Sequence, residues 1–167
     1  MSAAIGADTK RLSSPGYTLA EALVVIALLG LMVLFGGPAL MDSLRAYKVR
    51  SDANNLTTIL RALRYGAVSN RAPMTITVND ENDATAPNTC GYVDLKGRAV
   101  TVRMQDGVVI EGSSAPSITF NINGGTGQTG SLTVLVSGRV NKDRADRYAI
   151  SVSPTGTVSS DYSTYTP

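Results

Sequence analysis

The sequence predicts an α+β protein in which a long N-terminal helix packs on an antiparallel β-sheet domain. Three observations predict it. An uncharged apolar run extends from Ala22 to Met41, apolar residues then recur at three-and-four spacing as far as Ala67, and after Pro73 short β-branched stretches alternate with turn residues. The 167 residues suffice for one domain with a core plus appendages, since single domains run to about 100–150 residues.

Composition narrows the chemistry. Fifteen Lys and Arg against 13 Asp and Glu leave a net charge of +2, too small for a global field that would select nucleic acid or an acidic partner. There is no histidine, hence neither the usual general base near neutral pH nor the commonest metal ligand. The single cysteine, Cys90, cannot close an internal disulfide and reads as a small buried hydrophobe rather than a nucleophile. No convergent carboxylate pair is visible. The expectation is a protein that is not an enzyme, with no catalytic residue, no metal site and no cofactor.

The first element is the run Ala22–Met41, whose 20 residues would span about 30 Å as a helix and so cross a bilayer. A secretory signal has a shorter apolar region, roughly 7–15 residues, ending at small residues. Here the run is followed by Asp42-Ser43-Leu44-Arg45, and only Gly36-Gly37-Pro38-Ala39 keeps the signal-peptide alternative open. An ionisable side chain, Glu21, stands just before it in Gly16-Tyr17-Thr18-Leu19-Ala20-Glu21-Ala22-Leu23. A carboxylate in a membrane helix needs a partner or must sit at head-group depth, and the residues leave both readings open.

This segment, from Gly16 to about Met41, resembles the type IV prepilin N-terminus: a Gly, an aromatic, Thr, Leu, any residue and Glu, then a long apolar helix. In that family a membrane aspartyl peptidase cuts after the Gly and methylates the new N-terminus. The resemblance implies a leader over 1–16, cleavage between Gly16 and Tyr17, and an assembly segment containing Thr18, Leu19 and Glu21. It also implies single-pass insertion in the bacterial inner membrane, with the domain periplasmic or extracellular and carried in a filament after assembly. Other pilin-like subunits, the prepilin peptidase and an inner-membrane assembly platform would be the partners. Two features depart from the pattern: the leader ends Arg11-Leu12-Ser13-Ser14-Pro15 rather than with a basic residue directly before Gly16, and Tyr17 stands where Phe is commoner.

Glu21 lies four residues beyond the amine that cleavage would create, about 6 Å along a helix. In a staggered filament it can pair with the Tyr17 amine of a neighbour, setting register even where the net stabilisation is small. Gly30, Gly36, Gly37 and Pro38 form an expected hinge, because proline removes a helix hydrogen bond and each glycine lowers helix propensity by about 1 kcal/mol. Related filaments unwind this stretch on assembly; small residues that admit close helix packing are the equal alternative.

The second element continues the helix over 42–70, with an apolar stripe at Leu44, Val49, Leu56, Ile59, Leu60, Leu63 and Ala67. Arg45, Lys48, Arg50, Arg61, Arg64 and Arg71 make it locally basic, which reads as a solvated or lipid-facing surface. Helix from Tyr17 to about Ser69 would be about 80 Å long. Pro73 ends it.

Strands are then expected near 74–78, 91–95, 99–104, 108–111, 117–122, 131–137 and 148–153, within a β-sheet domain over 73–158. Lys96-Gly97, Asp106-Gly107 and Pro154-Thr155-Gly156 mark turns. The acidic stretch 79–88 reads as a solvated loop, calcium lacking the ligand spacing of a known site. Gly125-Thr126-Gly127-Gln128-Thr129-Gly130 has the spacing of a dinucleotide fingerprint but leads into a strand instead of a helix, so it reads as a loop. Residues 159–167 hold too little apolar content to fold alone and are expected to be a flexible tail or an added edge strand.

The C-terminal half, from Ile118-Thr119-Phe120 through the glycine-rich loop to Ile150–Val158, resembles the GspH/FimT family of minor pseudopilins and pilins. Some of that family bind DNA through arginines just after the Gly of the final hairpin. Thr157, Val158 and Ser159 occupy that place here, which weighs against nucleic acid. Arg139, Lys142, Arg144 and Arg147, interspersed with Asp143 and Asp146, read as a mixed-charge loop and, with the basic helix, are the candidate nucleic-acid contacts. The leading expectation is a structural subunit of a type II secretion pseudopilus or a type IV pilus, most nearly a minor pseudopilin. The alternatives are a DNA-uptake pilin, whose binding would weaken steeply with salt, and a single-pass protein with an extracytoplasmic β-domain.

Overall fold

The structure, a computed structural model, describes residues 17–34 and 37–167 in full, and 35 and 36 as part of a helix. The expected leader, with Gly16, lies outside the described residues. One helix, α1 (Leu19–Asn70), is followed by eight strands: β1 (Met74–Asn79), β2 (Thr89–Val93), β3 (Ala99–Arg103), β4 (Val108–Ser113), β5 (Ser117–Phe120), β6 (Leu132–Arg139), β7 (Ala145–Val152) and β8 (Val158–Tyr165). The strands form two antiparallel sheets, ordered β3-β2-β1-β5 and β4-β6-β7-β8. Compactness divides the chain into Met1–Pro38 and Ala39–Pro167.

In the first unit every described side chain from Tyr17 to Leu34 is exposed, although the segment is almost wholly apolar. Its most apolar 18-residue window has a mean hydropathy of 2.5, long and apolar enough to cross a membrane. The helical assignment continues through Pro38.

In the second unit the helix buries Val49, Ala53, Leu56, Leu60, Leu63 and Ala67 against both sheets. This is the three-and-four stripe, and each fully buried aliphatic side chain contributes roughly 1.5–3 kcal/mol. Leu44, expected in the stripe, is exposed. At that level the helix is held instead by polar contacts, Asn141 Nδ2 donating to Asp42 at 3.0 Å and Arg45 to the Val140 carbonyl at 3.0 Å. The strands alternate as a half-buried sheet requires. Ile76, Val78, Cys90, Ile118 and Phe120 point inward from the first sheet, and Ile110, Val134, Val136, Ile150 and Val152 from the second. Gly138 of β6 approaches the helix closely, since an added Cβ there would meet Val49.

Several strand limits differ from expectation for local reasons. β2 begins at Thr89 and stops at Val93 because Asp94 turns the chain, its Oδ1 accepting from the Lys96 and Arg98 amides. β5 stops at Phe120 because Asn121 Oδ1 accepts from the Asn123 and Gly125 amides. β4 runs on to Ser113 through an irregularity between Ile110 and Gly112. The stretch Arg139–Arg147 is not one charged loop: Arg139 ends β6, the turn is closed by Val140 N–H to the Arg144 carbonyl, and Asp146 and Arg147 lie in β7. Of the two expectations for the tail, the structure shows the added edge strand: β8 pairs along its whole length with β7, from Val152↔Val158 to Ala145↔Tyr165. Backbone pairing with an existing strand supplies the order that its own side chains do not.

Candidate functional site

The start of α1 is built by a cap. Thr18 Oγ1 accepts from the Glu21 amide at 3.2 Å and the Thr18 carbonyl from the Ala22 amide at 3.2 Å. Thr18 is therefore the N-cap, Leu19 the first helical residue and Glu21 the third, the spacing of a Thr-x-x-Glu capping box. A carboxylate in the first turn also opposes the positive end of the helix dipole. Glu21 thus has a local reason to be there, one that Thr18-Leu19-Ala20-Glu21 already signals in sequence. Its side chain is exposed, as are Thr18 and Leu19.

Of the expected hinge residues, Gly30, Gly37 and Pro38 lie within the helix, while Gly36 is helical but outside the fully described residues. A Cβ added at Gly30 or Gly37 would meet nothing within 4 Å. Packing inside the chain therefore does not require glycine at either position.

The basic residues are dispersed. Arg139 donates to the Asn141 and Lys142 carbonyls of its own turn, and Lys142 is exposed 3.9 Å from Asp143. Arg144 forks onto buried Asp146 at 2.7 and 3.1 Å and donates to Tyr162 Oη at 2.9 Å. Arg147 reaches Glu111 at 2.6 Å and lies 4.2 Å over the Tyr165 ring. Arg144 and Arg147 are thus each paired with a carboxylate, and the four do not converge on one free cationic surface.

The arginines of the helix do something the sequence does not announce. Arg61 donates to the Val158 carbonyl at 3.2 Å, Arg64 to the Gly124 and Thr155 carbonyls at 3.2 and 3.3 Å, and Lys48 to the Asp106 carbonyl at 3.4 Å. Where the sequence predicts a solvated or lipid-facing stripe, these side chains fasten the helix to carbonyls of loops and of the start of β8, 58 to 97 residues away. Buried Asp52 completes the seam, its carboxylate accepting from the Gln105 amide at 2.7 Å and from Gln105 Nε2 at 3.0 Å. Only a carboxylate among apolar neighbours at 49, 53 and 56 marks Asp52 in the sequence.

The glycine-rich loop is a structural junction. Its Thr126 amide donates to the Pro154 carbonyl at 3.0 Å, and a Cβ at Gly156 would run into the Gly124 carbonyl. In the acidic loop Asp83 Oδ1 accepts from Thr85 twice and from the Ala86 amide, which holds its carboxyl below the usual range. Among the described residues no three His, Cys, Asp or Glu side chains are grouped as metal ligands. Cys90 is fully buried, and burial pushes its thiol up to about 12, a protonated and unreactive state.

The chain is similar to known proteins in the region that carries this architecture. The type IV minor pilin FimU of Pseudomonas aeruginosa superposes in one crystal form with a TM-score of 0.53 at 18% identity, over 70% of this chain and 90% of that one. A second crystal form of the same pilin gives 0.49, also at 18% identity, over 67% and 91%. No curated protein matches. The fold, a long N-terminal helix packed on antiparallel sheets, is that of FimU. The model of the family described as type II transport protein GspH matches residues 52–156, the span from buried Asp52 to the Gly156 turn. Pilins and pseudopilins are structural subunits rather than enzymes, and this chain belongs to the GspH family.

Proposed function

We propose that the protein is a minor pseudopilin or minor pilin, matured by cleavage after Gly16 and N-methylation of Tyr17, and built into a filament rooted in the inner membrane. The observation that carries the reading is one helix with two environments. From Leu19 to Leu34 it is apolar and uncovered, whereas from Val49 to Ala67 it is the buried spine of a GspH-family domain. An apolar helix without cover inside its own chain needs lipid or other helices around it. In this reading residues 17–41 are the membrane and assembly segment and 42–167 the displayed domain.

Thr18, Leu19 and Glu21 form the assembly end. Before incorporation the Glu21 carboxylate sits at the capped first turn; on incorporation it pairs with the Tyr17 amine of a neighbouring subunit and fixes the stagger. Gly30, Gly36, Gly37 and Pro38 supply the place where the helix loosens, consistent with the empty surroundings of Gly30 and Gly37. Other pilin-like subunits, the prepilin peptidase and the assembly platform are the partners. The reading favours a secretion pseudopilus, because pilins closed by a C-terminal disulfide need two cysteines and only Cys90 is present. Arg144 and Arg147, each held by a carboxylate, weigh against the DNA-uptake alternative.

Intact-mass and N-terminal analysis of the protein from its native host tests this directly. A chain beginning at methylated Tyr17 supports the proposal. One beginning at Met1 or Ser2, or cut near Ala39, overturns it.

A further inference from the structure

The last strand, β8, is an open edge of its sheet. The Thr157 carbonyl accepts from the Ser153 amide at 2.9 Å, so 153 and 157 are a hydrogen-bonded pair. By the alternation of an antiparallel ladder, so are 151 and 159, 149 and 161, and 147 and 163. The backbone N–H and C=O of the residues between them, Val158, Ser160, Tyr162 and Thr164, therefore point away from β7. Arg61 donates to the Val158 carbonyl at 3.2 Å, whereas the outward groups of Ser160, Tyr162 and Thr164 have no partner among the described residues. The opposite edge of the same sheet is closed at Ile110, whose N–H donates to Asn88 Oδ1 at 2.9 Å and whose carbonyl accepts from the Glu81 amide at 3.1 Å. β8 also lacks the usual guards of an open edge: it has no Lys, Pro or bulge along Val158–Tyr165, and every residue from Ser159 to Thr164 is exposed.

Beside this edge, within the second unit, runs a cleft of about 1060 Å³ between the face of β7 and β8 that carries Tyr148 and Tyr162 and a helical wall from Ser43 to Arg61. That wall is about 27 Å long at 1.5 Å per residue, the length of about eight residues of extended chain. Because side chains alternate along a strand, Ser160 and Tyr162, whose backbone groups are free, also turn their side chains to the cleft, whereas Asp161, the one acid of β8, lies on the other face. Three arginines line the cleft against one aspartate, Asp146, which the Arg144 fork already neutralises. Arg61 is on a neutral carbonyl, and exposed Arg50 has no hydrogen-bond or ion-pair partner among the described residues. Exposed Tyr47 and Tyr162 stand on the two walls, and tyrosine and arginine are the side chains enriched where proteins bind.

We infer that the edge of β8 and this cleft together bind an extended acidic segment of a different protein, which pairs with the Ser160, Tyr162 and Thr164 backbone as a fifth strand and turns alternate carboxylates toward Arg50. Backbone pairing supplies the affinity and the cationic wall the selection. Strand geometry singles out a peptide over a lipid head group or a glycan: the free N–H and C=O groups recur at every second residue along one line, which another extended backbone matches group for group. Charge singles out a different protein over a second copy. A second β8 laid edge to edge would turn Ser160, Tyr162 and Thr164 toward the helix and bring no carboxylate, its Asp161 being on the other face. The contact involves the second unit alone and depends neither on processing at Gly16 nor on entry into a filament.

The test uses the full-length chain in detergent micelles and a capped eight-residue peptide of alternating Glu and Thr, with amide exchange followed residue by residue by NMR. The expected result is new protection of the Ser160, Tyr162 and Thr164 amides, while those of Ser159, Asp161 and Ser163, already donated to β7, stay as they were. Arg50→Gln should weaken peptide binding at least about tenfold, as should replacing Glu by Gln in the peptide. Ser160→Pro removes an outward N–H without touching the ladder to β7, and should abolish binding while the Asp161 amide remains protected. If the proline variant loses that protection, its strand is broken and Arg50→Gln alone decides. Binding that protects no alternate amides, binding that Arg50→Gln leaves unchanged, or no binding at millimolar peptide overturns the inference. Protection of the same amides that grows with protein concentration in the absence of peptide would mean that a second copy fills the edge. Protection produced by mixed micelles containing phosphatidylglycerol, and not by the peptide, would mean a membrane surface. Either result overturns it.

Discussion

Arg147 of β7 meets Glu111 of β4 at 2.6 Å although β6 lies between their strands, and this pair bridges the edge strand β4 to β7 across the sheet. Ser137 of the intervening strand donates to the same carboxylate at 2.7 Å, and Tyr165 at the end of β8 donates at 2.6 Å while its ring lies under the guanidinium. The last strand, which has little apolar content of its own, is closed at its far end by this four-residue cluster.

The cluster makes the order of β8 depend on pH. Burial pushes the Glu111 carboxyl upward, but the Tyr165 and Ser137 hydroxyls and the Arg147 guanidinium outweigh it and hold the group below its ordinary 4.5. A carboxylate lowered in the folded state contributes stability above its unfolded value, and that contribution is lost as pH falls through the folded value. Protection of the 158–165 amides, taken as exchange relative to the intrinsic rate at each pH, is therefore expected to fall on acidification below about 4.5, earlier than in β6. Glu111→Gln should show faster exchange at neutral pH and no such acid dependence. Unchanged exchange in that variant would contradict the role given to the cluster.

Asp52→Ala leaves the Gln105 amide and side-chain donor facing a buried gap, and should destabilise the domain by about 1–3 kcal/mol in denaturant unfolding. Asp52→Asn keeps one acceptor and should lose less. Equal losses in the two variants would mean that the carboxylate's charge, which both remove, matters at this position and that the single acceptor kept by asparagine does not.

Thr18→Ala removes the cap and should cost the helix start about 1 kcal/mol, visible as faster exchange of the Glu21 and Ala22 amides in detergent, with Thr18→Ser near wild type. Glu21→Gln retains a capping-box residue without the charge. If the carboxylate acts between subunits, Glu21→Gln should enter filaments as poorly as Glu21→Ala while exchanging like wild type in the unassembled chain. Normal incorporation of Glu21→Gln would reduce this residue to a cap.

Gly156→Ala should be among the most damaging substitutions in the domain. The residue has φ +80°, which alanine adopts only at a cost of about 1 kcal/mol or more, and the new methyl would run into the Gly124 carbonyl. Gly97→Ala, at φ +77° with open space around it, carries the backbone cost alone. The difference in their unfolding free energies measures the contact between the glycine-rich loop and the final hairpin.

Periodicity and punctuation, which are local, were enough to specify much of this protein. The membrane-length run, the helix to Asn70, the stripe from Val49 to Ala67 and the strands beginning at Met74, Ala99, Val108 and Ser117 all follow from patterns within a few residues. The Thr18-to-Glu21 cap could be read there too. What only the tertiary structure decided depends on partners brought together from far along the chain. Arg61 and Arg64 look like solvated charges until the Val158 and Thr155 carbonyls, more than 90 residues away, come within reach. Residues 158–165 become a strand because β7 offers a row of unpaired backbone groups, not because of their own side chains. Arg144 and Arg147, three residues apart in a charged stretch, are drawn to different carboxylates, one to Asp146 and one to Glu111. A side chain's hydrophobicity and backbone preference belong to it alone, whereas hydrogen bonds and ion pairs belong to two groups at once, and only folding chooses the second.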